Sequence, residues 1–278
     1  MKVQRMLLLL IAIAISLTLS PRPSGALPTQ SAKLYQQMTQ SERSAFVAEQ
    51  ARGIARQMSG NDYQFTTGFE AQIQKAVDFY TRRIGNNAGD QPGKGDVRFV
   101  FERGQTVAPT LIRTFKARNI SALFGLYIPL VESEYVNIQS PNSVGAIGMF
   151  QFVPQTGERY GLSANDLLDV EKSADAAARY ITDSLKQFND DRMKEALALL
   201  AYNRGGNNVE RDLAAFVNQE NRACSICALT EQRDKLDASF RSESVYYVPR
   251  FFAGAIIGEN PQAFGLQTRS LSSLEATP

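Results

Sequence analysis

"LYIPLVESEY", residues 126–135, is the stretch on which the fold turns. The run from Ala122 to Glu134 is apolar nearly all round, which marks a helix inside a core rather than on a surface. Pro129 places a kink or a boundary in its middle. Two glutamates then break the run. A carboxylate at the C-terminal end of a buried helix has two influences raising its pKa, lost water and the negative end of the helix dipole. A general acid working near neutral pH needs that environment. Glu132 follows Leu130 and Val131 directly, whereas Glu134 lies one step further out, so Glu132 is the candidate acid. On pattern alone, an ordinary hydrated helix end is the better explanation of the pair.

Around this helix the pattern is helical almost throughout. Phe46, Val47, Ala51 and Ile54 form a modest stripe within 41–56. Thr67 and Glu70 have the spacing of a capping box, after which Phe69, Ile73, Ala76, Val77, Tyr80 and Ile84 recur at helical intervals until Gly85. "NNAGDQPGKG", 86–95, is a loop by its Gly, Asn and Pro content, and it divides an N-terminal helical region, 27–95, from the rest of the chain. Residues 97–118 form a further helix, with Val100, Val107, Leu111 and Phe115 on one side. Ser173 caps another, and "DRMKEALALLAYNRGG" is a strong helix stopped by Gly205 and Gly206. Strand-like alternation occurs only near 147–153. The polar, unpatterned stretch at 263–278 reads as a disordered tail.

The first 26 residues have a basic start, Lys2 and Arg5, an apolar stretch from Met6 to Leu19 and a small-residue ending, Ser24, Gly25 and Ala26. That is the layout of a signal peptide, so export to the periplasm is expected. An uncleaved N-terminal anchor is the alternative, although the stretch is shorter than the roughly 20 residues a membrane helix needs. The full chain carries 30 Lys and Arg against 28 Asp and Glu, and cleavage after Ala26 would leave 27 against 28. Lys and Arg form no long run, which argues against nucleic acid as a partner. With 44% apolar residues, the remainder can bury one large core.

Histidine is absent and the only cysteines are Cys224 and Cys227. A His/Cys zinc site, a Ser-His-Asp triad and a Cys-His pair are therefore excluded. Chemistry must come from carboxylates, hydroxyls and amides. In an exported chain "CSIC" is read as a small disulfide or two buried thiols, ahead of a redox pair.

Three further stretches carry polar groups among apolar ones. In "SVGAIGMFQFVPQTG", Gly145 and Gly148 allow close backbone approach, and Gln151 is a lone amide between Phe150 and Phe152. "AYNRGG" sets Tyr202 and Asn203 at a helix end. "SESVYYVPRFF" has Glu243, Tyr246 and Tyr247 just before Pro249, a residue suited to opening a helix. Each has an ordinary structural explanation by itself.

Together their order resembles a known family. Glu-Ser at 132–133, Gly-Ala-x-Gly-x-x-Gln at 145–151 followed by Pro154 and Thr156, Ala-Tyr-Asn at 201–203 and Glu-x-x-x-Tyr at 243–247 are similar to the ordered motifs of family 1 lytic transglycosylases. "FQFVPQTGERYGL" and "YYVPRFF" most resemble the membrane-bound murein transglycosylase D subgroup. The likeness spans about 97–262. It implies a mainly α, lysozyme-like (goose-type) helical domain with a small β element, at 96–262, preceded by N-terminal helices. Its substrate would be peptidoglycan glycan strands, with no cofactor and no metal.

By the same resemblance Glu132 is the sole catalytic acid and base, and Ser133 supports the helix end beside the substrate site. Gln151 and Tyr247 hydrogen-bond near the glutamate or the sugar, Tyr202 and Asn203 line the groove, and Met149 and Phe150 form one wall of it. Three departures stand out. The gap from Glu132 to Gln151 is one residue longer than usual, which leaves Ser140, Asn142 and Ser143 as alternatives for the family's loop serine. Ser244 replaces a common threonine, and the subgroup's anchoring cysteine and C-terminal repeats have no counterpart. Two other functions fit the same sequence. One is a goose-type lysozyme-like hydrolase, with Glu134, Glu158 or Asp166 positioning water, and the other is a non-catalytic glycan-binding module. Residues 27–95 would extend the groove or dock a cell-wall or secretion partner.

Overall fold

Ten α-helices succeed one another among residues 33–274, which are the residues the computed structural model describes. The expected signal peptide and residues 275–278 lie outside them. Helix α1, Gln40–Ser59, opens on a reciprocal box: the Thr39 hydroxyl accepts from the Glu42 amide while Glu42 accepts from the Thr39 amide. Helix α2, Thr67–Thr81, begins one residue earlier than the expected box, because Thr66 supplies the cap. Two tandem threonines compete for that role. The hydroxyl of Thr66 also donates to Glu231 at 2.5 Å, a distant contact that selects it.

Helix α3, Val97–Ala117, starts at Asp96, which is buried and accepts from the amides of Arg98 and Gly85. Helix α4, Ala122–Ser133, is buried from Leu123 to Leu130 and runs through Pro129 without ending there. Proline brings no amide hydrogen to the Gly125 carbonyl four residues back; at the helix end the Pro129 carbonyl itself accepts from the Ser133 hydroxyl at 3.1 Å. The small β element consists of two antiparallel bridges, Ile138 with Gly148 and Ile147 with Phe152.

Helices α5, Pro154–Arg159, and α6, Val170–Gln187, come next. The cap of α6 is Asp169, not Ser173; one Asp169 oxygen accepts from both Glu171 and Lys172 amides at 3.0 Å, and Ser173 lies inside the helix. Helix α7, Lys194–Arg204, ends at Gly205, whereas Gly206 starts α8, Gly206–Phe216, instead of reinforcing the stop. Helix α9, Ser225–Glu231, is tied by the Cys224–Cys227 disulfide. A π-helical turn, Phe240–Ser244, leads into α10, Val245–Glu259, where Pro249 sits inside the helix and does not open it.

Helix α10 forms the axis, packing against α2, α4, α1 and α7, while α3 lies along α4 and α6. The described residues fall in one compact unit. Among them no helix is long and apolar enough to cross a membrane.

The tail departs from expectation. Residues 263–274 are packed, with Phe264, Leu266, Leu271 and Leu274 buried. Glu259 at the end of α10 accepts from the Ser270 and Ser272 hydroxyls and from Tyr127 of α4. Two of the serines that made the stretch look disordered, Ser270 and Ser272, are ligands for one half-buried carboxylate. Leu271→Ala should therefore cost about 2–4 kcal/mol, the usual range for emptying a fully buried leucine site, as read by urea unfolding. A disordered tail would give no change.

Candidate active site

The last turn of α4 delivers Glu132 into a cleft of about 460 Å³, whose lining includes Gln151, Tyr202, Asn203, Glu243, Tyr247 and Arg250. Glu132 is half-buried where it lines the cleft. From α10, the Tyr247 hydroxyl donates to Glu132 Oε1 at 2.6 Å. Burial is the largest influence on the Glu132 carboxyl, and nearby Glu243 adds to it while the Tyr247 bond opposes it; the net effect is a pKa pushed up to about 7. At neutral pH this side chain is present in both forms, so it can give a proton and take one back.

Ser133, Met149 and Phe150 do not line the cleft. All three point into the protein, and each supports the site indirectly. The Ser133 hydroxyl bonds the carbonyl of Met149 at 2.8 Å, tying the end of α4 to the glycine-rich loop. Phe150 stacks on Phe115 and its carbonyl accepts from the Tyr202 hydroxyl at 3.0 Å. Met149 and Phe150 thus act through their backbones, because the left-handed Gly148 (φ 80°) and Gln151 (φ 50°) turn both side chains into the core. Gln151 itself faces the cleft, and its amide nitrogen donates to the Gly148 carbonyl at 2.7 Å.

Asn203, also lining the cleft, joins two elements. Its amide donates to Glu243 at 2.9 Å and its oxygen accepts from the Ser244 hydroxyl at 2.7 Å. Serine therefore performs the bond available to a threonine at that position. Asn142 is the member of the Ser140, Asn142 and Ser143 trio that lines the cleft, held by the amides of Val144 and Ala146.

Arg250 and Tyr180 also line the cleft and were not among the sequence candidates. Glu243, Tyr247 and Arg250 recur at intervals of four and three, one helix face; placing a helix start at Pro249 splits that face. Tyr180 has no signal beyond its helix. The three carboxylates considered for a hydrolase lie elsewhere. Glu134 is buried on Arg83, Glu158 is exposed on α5, and Asp166 is held well below the usual carboxylate range by Lys172 and Ser163.

With a protonatable glutamate, a tyrosine upon it and an amide-lined cleft in place, comparison with known proteins becomes informative. Residues 111–224 match the transglycosylase SLT domain. The match supports the lytic transglycosylase family and an enzyme cleaving glycosidic bonds of peptidoglycan, and the mainly helical architecture is that of a lysozyme-like domain. No curated protein matches the chain. The SLT match begins within α3 and stops at Cys224, so α1, α2 and the Glu243–Tyr247–Arg250 face lie outside it.

Removing the Tyr247 hydroxyl takes away the one interaction that lowers the Glu132 pKa. Tyr247→Phe should therefore move the alkaline limb of any activity profile upward from about pH 7 while reducing turnover roughly tenfold. A limb that stayed in place would deny the bond a role in tuning Glu132.

Proposed function

We propose that the protein is a peptidoglycan lytic transglycosylase, cleaving the β-1,4 bond between N-acetylmuramic acid and N-acetylglucosamine to leave 1,6-anhydromuramic ends. The observation that carries this reading is Glu132 itself, raised to about 7 and held by Tyr247 in a cleft whose other carboxylate, Glu243, is engaged by Asn203. Ordinary glycoside hydrolysis uses two carboxylates flanking the bond. One suffices when the sugar supplies the nucleophile.

Protonated Glu132 donates its hydrogen to the bridging oxygen as the C1–O bond breaks, and positive charge gathers at C1. The 2-acetamido group stabilises that charge, as in substrate-assisted glycosidases. The resulting Glu132 carboxylate then accepts the proton of the muramyl C6 hydroxyl while that oxygen closes on C1. Glu132 ends protonated, and no water is consumed. An attacking group already tethered to the reacting sugar has a high effective molarity. Gln151, Asn142, Tyr202 and Asn203 offer amides and hydroxyls to the sugar rings along the cleft. The motif contexts at 150–162 and 246–252 favour the D subgroup, and the N-terminal pattern supports a periplasmic setting.

A hydrolase remains the competing reading for one reason: Glu243 lines the cleft and is close enough to raise the Glu132 pKa. Glu243→Gln separates the two. Under transglycosylation the variant still releases anhydro ends within about tenfold of the wild-type rate, because no carboxylate has to activate water. Removing the neighbouring negative charge also moves the alkaline limb toward acid. A hydrolase would lose roughly 10²-fold or more.

A further inference from the structure

Arg83, in the N-terminal section outside the SLT match, reaches the end of α4 and grips the residue next but one to Glu132. Its guanidinium donates to both carboxylate oxygens of Glu134, at 2.6 and 3.0 Å, and its Nε donates to the Gly95 carbonyl at 2.9 Å. The Gly93 amide adds a third bond to the Glu134 carboxylate at 2.9 Å. Both charged side chains are about nine-tenths buried, at 8% and 10% exposure. From α3, Arg103 holds the Glu134 carbonyl at 3.0 Å and pairs with Asp90 of the same 86–95 loop.

What this clamp holds is unusual backbone. Glu134 and Tyr135 are consecutive non-glycine residues in the left-handed region, at φ 50° and 63°. Such residues persist only where their surroundings enforce them. Tyr135 is fixed by its hydroxyl on the Leu126 carbonyl at 2.8 Å, and Glu134 by Arg83.

We propose that Arg83 is a positioning residue: with Glu134 and the 86–95 loop it locks the left-handed turn after α4, and so holds the Glu132 carboxyl against Tyr247 and inside the cleft. It does so by geometry and not by charge. The groups that bear electrostatically on Glu132 are Tyr247 and Tyr202 from α10 and α7, and Glu243 from the π-helical turn. This proposal rests on the catalytic reading of Glu132 but not on which product is formed.

Arg83→Met alone strands a buried carboxylate and is expected to destabilise the fold. The informative protein is therefore Arg83→Met combined with Glu134→Met, since replacing both members of a buried pair by apolar side chains commonly preserves stability. In the double variant, melting should be close to wild type while wall-cleaving kcat falls about 10²-fold, the loss a displacement near 1 Å produces. KM should stay within about twofold, the substrate-binding groups being untouched. The alkaline limb should shift toward acid, because a released Glu132 regains water. Arg83→Lys keeps the charge without the fork and should recover part of kcat. Carbon-13 NMR titration of the Glu132 carboxyl reports the same acidward shift without turnover, so the clamp can be tested even if the wild type fails to cleave wall. A double variant with wild-type kcat and an unmoved Glu132 titration would overturn the proposal. So would activity that follows melting temperature alone across the series.

Discussion

Glu132→Gln should reduce peptidoglycan cleavage by about 10³-fold or more, since the other carboxylate lining the cleft, Glu243, is engaged by Asn203 and proton transfer to the leaving oxygen is worth up to roughly 10⁴-fold. The same substitution should stabilise the fold at alkaline pH. The folded Glu132 pKa, about 7, lies above the unfolded value of 4.5. Between those values the native state binds more protons than the unfolded one, so this side chain's contribution to stability falls as pH rises through the interval. Above pH 7 the native protein carries a desolvated charge that glutamine removes. Allowing for partial hydration from the cleft, the gain is about 2 kcal/mol, which corresponds to roughly 4–8 °C in melting temperature for a chain of this size. Melts of both proteins at pH 5 and pH 8 check the sign. The variant should gain at pH 8 and not at pH 5; equal melts at both would mean that Glu132 is freely hydrated.

Gly148→Ala should be the most damaging single methyl. Gly148 has φ 80°, and a Cβ there would stand 2.2 Å from the backbone carbonyl of Leu167. Neither partner can swing away, because one is main chain and the other is held by the bridge to Ile138. The expected cost is roughly 3–5 kcal/mol, strain and overlap combined. Because Gln151, the Met149 carbonyl under Ser133 and the Phe150 carbonyl under Tyr202 all hang on this turn, molecules that remain folded should lose activity as well. Denaturant unfolding and wall clearing together measure both effects. Tolerance of alanine would show that the turn does not set the cleft.

Some of this is legible from residue pattern. The all-round apolarity of 122–134 marks α4 as central, and a carboxylate at the end of such a helix is chemically conspicuous wherever it occurs. Helix ends are less legible: between the tandem Thr66 and Thr67 the contact with Glu231, far off in sequence, picks the cap, and at α6 Asp169 takes the cap four residues before Ser173. Gly206 and Pro249, given their usual roles as breakers, hide α8 and divide the face carrying Glu243, Tyr247 and Arg250. A motif also does not say which way its side chains turn. Met149 and Phe150 sit beside the cleft in sequence, yet two left-handed residues rotate them into the core. Glu134 looks like the outer, wetter glutamate, and nothing local could reveal an arginine partner 51 residues earlier. Composition misjudges the tail, because two of its serines, Ser270 and Ser272, serve a single carboxylate at the end of α10.

The most direct test of the proposed chemistry is the mass of the products. Purified peptidoglycan digested with the wild-type protein should yield muropeptides whose reducing ends lack one water relative to hydrolysed fragments and resist borohydride reduction, and Glu132→Gln should yield none. Fragments of full hydrated mass, reducible by borohydride, would contradict an internal nucleophile and with it the single-carboxylate mechanism.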